Sequence, residues 1–372
     1  MQDLPYRIAF SRIPGIGRAR MARLVAYFGD LHTAWSASQA DFARAGLEGK
    51  VLQAVLSLRP KLDPETELPR LERARIRALA PEDMDFPPLL KEIDDCPPVL
   101  YVRGSLTPRD ALAVAVVGTR KATAYGHQVA EDLVTGLARQ GITIISGLAR
   151  GIDVAAHRSA MDAGGRTVAV QACGLDMIYP SAHTALAREI VDKGCLVSDY
   201  PLGTRPRAEF FPRRNRIMSG MALGTLVIEA DQESGALITA RFALEQNREV
   251  LAVPGSIYSP ASRGANSLIQ AGAKLVTCVE DVLEELNVTA VSQPLQPAQL
   301  SLDVTPDQSR VLHHLTRQPV HIDELRQRTG MDIPALSSTL ALLELSGLAK
   351  QVGAMHFVLA REVQADYFTA AT

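Results

Sequence analysis

Between Ala113 and Val279 short β-rich runs alternate with helical stretches, and this alternation constrains the fold more than any other feature of the chain. Strand, helix, strand in repetition is the pattern of a parallel sheet covered on both faces. Strands are expected at Ala113–Val117, Thr143–Ile145, Thr167–Gln171, Cys195–Ser198, Thr225–Glu229, Glu249–Val253 and Lys274–Thr277. Ligands of open parallel sheets sit beyond the carboxyl ends of the strands, near the point where strand order reverses. Those ends read Gly118-Thr119-Arg120-Lys121, Ser146-Gly147-Leu148-Ala149-Arg150-Gly151, Cys173-Gly174, Asp199 through Thr204, Glu229 through Gly235, and Pro254-Gly255. Glycine alone is ordinary at a strand-to-helix turn. Arg120, Lys121 and Arg150 among the glycines point to an anion-binding crevice.

At 372 residues the chain exceeds one compact domain. Residues 1–80 read as helical and rather basic. A proline-punctuated stretch then leads through Val99–Val102, an added strand, into the sheet, giving a central domain of residues 81–286. Residues 287–305, with Pro294, Pro297 and three glutamines, read as a flexible linker. The last domain, 306–372, offers helices at Asp307–Leu315, Ile322–Arg328 and Ile333–Ser346 and a hairpin over Leu348–Leu359 with Gly353 at its turn. That order suits a winged helix. DNA-reading domains of this kind place basic or amide side chains on the third helix. Here its polar positions are Ser337, Ser338, Thr339 and Glu344, so protein contact or weak DNA contact is as plausible as sequence reading.

Phosphate chemistry is suggested at two further places. Ile13-Pro14-Gly15-Ile16-Gly17 has the form of a helix-hairpin-helix turn, whose backbone amides point at one phosphate. Arg7, Arg12, Arg18, Arg20 and Arg23 surround it, with no acidic residue between Asp3 and Asp30. Gly15, Gly17, Arg18 and Arg20 are therefore a secondary DNA-binding candidate, with a weaker second copy at Ala45–Gly49. The alternative is a hairpin that only packs two helices. Phe210-Phe211-Pro212-Arg213-Arg214-Asn215-Arg216 combines stacking faces with three guanidinium forks, as unpaired nucleic acid requires. Its alternative is an amphipathic helix start with Phe211 in the core and the arginines in solvent. A net charge of −2 confines any phosphate surface to a groove.

Other chemistries find little support. No G-x-G-x-x-G follows the first strand and no P-loop occurs, so no nucleotide cofactor is expected. Cys96, Cys173, Cys195 and Cys278 lack paired spacing, which argues against a zinc site or disulfide framework and for reduced cytoplasmic thiols. No signal-peptide pattern or membrane-length apolar run is read. Asp153 and His157 share a helix face, as an acid/base or metal pair would, but are better read as a cap and a packing residue. Glu229 and Asp231 could hold a sugar hydroxyl, Arg216 or a loop amide. No nucleophile beside a base can be argued, so no catalytic residue is assigned.

Ala115–Arg120, Ser146–Asp153 with Ala156-His157, Gly174–Asp176 with Tyr179-Pro180, Phe211–Ile217, Glu229-Ala230 with Ser234–Ala240, Val253–Gly255 and Gly264–Ile269 resemble the bacterial DNA-processing protein A (DprA/Smf) family. The resemblance implies an α/β chain with an extended Rossmann-like, doubly wound parallel sheet between an N-terminal sterile-alpha-motif-like helical domain and a C-terminal winged helix. It implies single-stranded DNA binding during natural transformation, protection of the strand, loading of the RecA recombinase and a homodimer through the Rossmann-like domain, without a catalytic step. Single-strand-binding protein is a further partner to consider. The family's glycine-Ser/Thr-arginine motif falls on Gly118, Thr119 and Arg120, and its basic segment on Phe211 through Arg216. With Lys121, Gly147, Arg150, Ser234 and Gly235 these form the expected DNA-binding set, in which Arg213 takes a variable place. The alternative is a nucleotide-processing enzyme of the lysine-decarboxylase-like Rossmann group, of whose motif only Gly224-Thr225 and Glu229 are present.

Overall fold

The computed structural model describes residues 3–288 and 305–359 apart from 317, 318, 347 and 354, so most of the expected linker lies outside the described residues. The chain forms two compact units, Met1–Leu295 and Gln296–Thr372.

In the first unit, nine strands make one sheet: β1 (Arg77–Leu79), β2 (Leu100–Gly104), β3 (Ala113–Val117), β4 (Thr143–Ser146), β5 (Thr167–Val170), β6 (Cys195–Ser198), β7 (Gly224–Val227), β8 (Glu249–Ala252) and β9 (Lys274–Leu275). Their spatial order is β1-β2-β6-β5-β4-β3-β7-β8-β9. The seven from β6 to β9 are parallel, while β2 runs antiparallel to β6 and β1 antiparallel to β2. From β3 the chain builds outward to β6 on one side, then returns and builds from β7 to β9 on the other. Strand order thus reverses between β3 and β7, where Val114 lies opposite Gly224 and Val117 opposite Val227.

The all-apolar run of β3 follows from burial on both faces. Ala113, Ala115 and Val117 join a core completed by Ile217, Met218, Ala236 and Ala240 of the helices Phe210–Gly220 and Gly235–Glu245. Val114 and Val116 face the opposite core, with Ala130, Leu133, Ile152 and Ala156 of the helices Ala124–Arg139 and Ile152–Asp162. One strand therefore serves two hydrophobic layers, which is what double winding requires.

All seven expected parallel strands form, with ends moved by one or two residues, and the added strand is β2. The edge strand β1 was not anticipated. It lies within residues 1–80, and three residues beginning with Arg77 carry too little periodicity to read as a strand. The rest of that segment is helical: Leu4–Ser11, Arg18–Phe28, Leu31–Trp35, Gln39–Arg44, Gly49–Leu58 and Pro64–Arg73. Phe10, Leu24, Phe42 and Leu47 give it a core of its own. Ile8 and Leu71, however, pack in one cluster with Tyr101, Leu148 and Leu196 of the sheet layer.

In the second unit, helices Pro306–His314, Ile322–Thr329 and Ile333–Leu345 precede the hairpin of β11 (Ala349–Gln351) and β12 (His356–Leu359), with Gly353 at φ +90° between them. A short β10 (Val320–His321) adds to β12, giving a three-stranded wing sheet over Leu325, Leu336, Leu340 and Phe357. The winged helix expected from sequence forms. Among the described residues no helix is long and apolar enough to cross a membrane.

Candidate nucleic-acid interface

A crevice of about 730 Å³ opens where the strand order reverses. The loop after β3 supplies Gly118, Thr119, Arg120 and Lys121, and the loop after β7 supplies Asp231, Glu233, Ser234 and Gly235. The two are stitched together by the Thr119 N–H, which donates to Glu229 O at 2.6 Å. Gly118 must lack a side chain, since a Cβ there would lie 2.5 Å from Ile152. The Glu229 carboxylate is 1% exposed and accepts from the Thr123 N–H at 2.9 Å and the Thr123 hydroxyl at 2.6 Å. Of the roles open to it in sequence, it takes the loop amide. Thr123 in turn caps the helix Ala124–Arg139.

Arg120 and Lys121 are exposed. The Arg120 guanidinium lies over the Phe211 ring, 5.7 Å from its centroid, and Tyr179 tilts against the same ring at 5.4 Å. A permanent charge and two aromatic rings thus share one wall, which suits a phosphate with an attached base. Phe211 is half-buried on the crevice, neither in the core nor free.

The three arginines of the Phe210–Arg216 run part company because the helix Phe210–Gly220 packs on the sheet. Arg213 is exposed and lies off the crevice lining, as does Arg150. Arg216 is buried and held by Asp199 at 2.5 Å, by the Asp95 carboxylate at 3.1 Å and by Asp95 O at 2.7 Å, away from the crevice. Arg214 reaches the crevice floor, yet its Nη1 donates to Gly147 O at 2.8 Å and to Val170 O. Its guanidinium ties the ends of β4 and β5 together beside Asp153, and burial lowers its pKa to about 10. Arg214 and Arg216 were expected as phosphate ligands. Both are 95% or more buried and engaged within the protein, Arg216 by carboxylates and Arg214 by carbonyls, although Arg214 lines the crevice and its Nε has no partner among the described residues. Asn215 frames the crevice, its amide donating to Gly235 O at 3.2 Å.

Asp153 accepts from the Gly147 and Ala149 amides, both at 3.1 Å. It caps the loop before its helix instead of the helix itself. Burial raises its pKa and Arg214 opposes the rise. His157 is fully buried, with Nδ1 2.7 Å from the Thr167 hydroxyl. That hydroxyl donates to Ile144 O, so Nδ1 carries the proton and Nε2, which has no partner, is bare. Burial pushes its pKa down to about 3. His157 is out of reach of solvent, and Asp153, which does line the crevice, has one carboxylate oxygen taken by the two amides. Among the described residues no group of three or more His, Cys, Asp or Glu could hold a metal ion.

At the N-terminal hairpin Gly15 adopts φ +89° against Val51, and Gly17 caps the helix Arg18–Phe28 in open space. The arginines around it are engaged within the chain. Arg20 donates to Gly15 O at 2.8 Å, Arg18 to Ile93 O at 3.1 Å, Arg23 to Gly46 O at 3.1 Å, and Arg12 and Arg7 pair with Glu67 and Glu82. The hairpin packs two helices, while Gly15, Gly17, Arg18 and Arg20 remain exposed.

Two crevice residues escaped sequence reading. Tyr179 stood out only as part of a motif, and Arg207 stood three residues before the aromatic pair with nothing to mark it. The spacing of Arg205, Arg207 and Phe210 was the available signal.

Residues 77–287 match the family model described as DNA recombination-mediator protein A, and residues 293–355 match the DprA winged helix domain. The Protein Smf of Synechocystis sp. is 32% identical over 95% of this chain and 98% of its own length. The X-ray structure of DNA processing protein A from Streptococcus pneumoniae is 34% identical, with a TM-score of 0.64 over 75% of this chain and 96% of that one. That of Helicobacter pylori, described for its single-stranded DNA binding mode, is 29% identical with a TM-score of 0.52 over 57% of this chain and 96% of that one. With a matched sheet domain, a matched winged helix and a full-length relative, the chain belongs to the DNA recombination-mediator protein A (DprA/Smf) family.

Proposed function

We propose that this protein binds single-stranded DNA in the crevice between β3 and β7 and delivers it to a RecA-type recombinase during natural transformation. The observation that carries the reading is the exposed Arg120 guanidinium over Phe211, beside Lys121 and Tyr179. A strand would set phosphates against Arg120 and Lys121, and a base against Phe211. Ser234 caps a helix start on the loop after β7, where the Ser234, Ala236 and Leu237 N–H groups are already bonded and the Gly235 N–H is left for a phosphate. The protein works without chemistry of its own, in the cytoplasm, as a homodimer through the Rossmann-like domain, and single-strand-binding protein is what the recombinase must displace with its help. Asp153 and His157, the residues closest to an acid/base pair, are spent on the loop amides and on Thr167.

Assembly of RecA on strands coated with single-strand-binding protein tests this. The protein should accelerate it, and Arg120→Glu should not. Nuclease activity that disappears with Asp153→Asn would replace the mediator by an enzyme.

A further inference from the structure

Beside the main crevice lies a second hollow of about 410 Å³, lined by Gly203, Thr204, Arg205, Arg207 and Phe210. Arg207 lines both cavities, so they share a wall. The loop that forms it is fixed in place. Gly203, at φ +84°, donates its N–H to both oxygens of Asp176 at 3.0 Å, Thr204 O accepts from the Gly174 N–H at 2.9 Å, and the Phe210 N–H donates to Arg207 O at 3.0 Å. Phe210 stacks on Tyr200, with centroids 4.4 Å apart and planes at 27°, and Arg207 lies over the Phe210 ring at 5.8 Å.

Between these anchored ends the loop presents cations with little to hold them. Arg207 is 69% exposed and, apart from the Phe210 ring, meets Glu209 at 3.9 Å across solvent, and Arg205 is exposed. Such a surface pair contributes little, whereas a guanidinium above an aromatic ring offers its outer face to a further planar group. Phe210 and Phe211 are adjacent in sequence, yet one serves each cavity.

We propose that the loop 202–210 is a second nucleotide subsite, in which Arg205 and Arg207 take a phosphodiester and the Tyr200–Phe210–Arg207 stack seats an unpaired base of the strand whose neighbouring nucleotide occupies the main crevice. The subsite rests on the single-strand reading of that crevice. It makes binding depend on strand length, because a nucleotide held in the crevice alone leaves the second hollow empty, and Arg207 becomes the residue between two consecutive bases.

Binding of a thymidine trinucleotide and a thymidine dodecanucleotide to wild type, Arg205→Gln and Phe210→Leu, each across a salt series, tests the proposal. Arg205→Gln should lower the salt slope on the dodecanucleotide by about 0.7, the share of one single-strand phosphate. Phe210→Leu should weaken both oligonucleotides about tenfold, within the range of one stacked base, because two consecutive nucleotides already fill both hollows. A wild-type slope in Arg205→Gln would overturn the subsite and leave the crevice standing. Failure of wild type to bind either oligonucleotide would overturn the crevice itself. Should Phe210→Leu melt early by circular dichroism, the exposed Arg205→Gln carries the test.

Discussion

Arg120 and Arg214 lie on one crevice and answer to different physics. Arg120 is exposed and stacked on Phe211, so its charge is available to a ligand. Arg120→Glu should weaken single-strand binding by more than about tenfold, or 1.4 kcal/mol, with an unchanged melting curve. Arg214 is buried against Gly147 O, Val170 O and Asp153. Arg214→Met would leave Gly147 O and Val170 O without their donor and remove the charge beside Asp153, and urea denaturation should show a loss of about 1–3 kcal/mol. Intact stability with lost DNA affinity would return Arg214 to the ligand-binding set. His157 gives a pH signature. Its pKa is near 3 folded and near 6.5 unfolded, so the unfolded chain binds the extra proton between those values. Stability should fall as pH drops below about 6.5, by up to about 1.4 kcal/mol per unit from this residue, and His157→Gln should fall less steeply. Sequence showed which residue types gather at the strand ends. It did not show which arginine is exposed, because in the run Arg213–Arg216 that depends on how one helix is rotated on the sheet.

At the scale of elements, the sheet was legible because a strand buried on both faces has to read as a largely apolar run, as Ala113–Val117 does without a break. β1 and β10 were not legible, being two or three residues long and defined by the strands they join. The loops between elements carry the site, and their glycines can be sorted by what surrounds them. Gly151 sits at φ +75° with Thr119 O where a Cβ would go, whereas Gly164, at φ +73°, faces open space. Both alanine variants should lose about 1–3 kcal/mol to the backbone. Only Gly151→Ala should also weaken DNA binding, since it must push the Thr119–Arg120 loop aside. Equal affinities in the two variants, measured by fluorescence anisotropy, would separate that loop from the ligand.

For the whole molecule, the N-terminal helices and the sheet share the cluster of Ile8, Leu71, Tyr101 and Leu196, and β1 closes the sheet edge. Removing residues 1–80 should therefore lower the melting temperature or abolish folding, beyond any loss of phosphate contact. Ending the chain at Asn287 should keep most of the affinity for short thymidine oligonucleotides, because the crevice lies wholly within residues 117–239. Gel shifts showing that cut to be the damaging one would give the winged helix a direct DNA contact, through Lys350 and His356 of its hairpin. On the proposed reading the crevice takes a polyanionic strand and performs no chemistry on a nucleotide. A salt titration of a thymidine dodecanucleotide against adenosine monophosphate tests it most directly. Log affinity for the oligonucleotide should fall by about 0.7 per phosphate neutralised for each tenfold rise in salt. The mononucleotide should bind weakly and come back unchanged. Equal affinity for both ligands at all salt concentrations, with turnover of the mononucleotide, would contradict it.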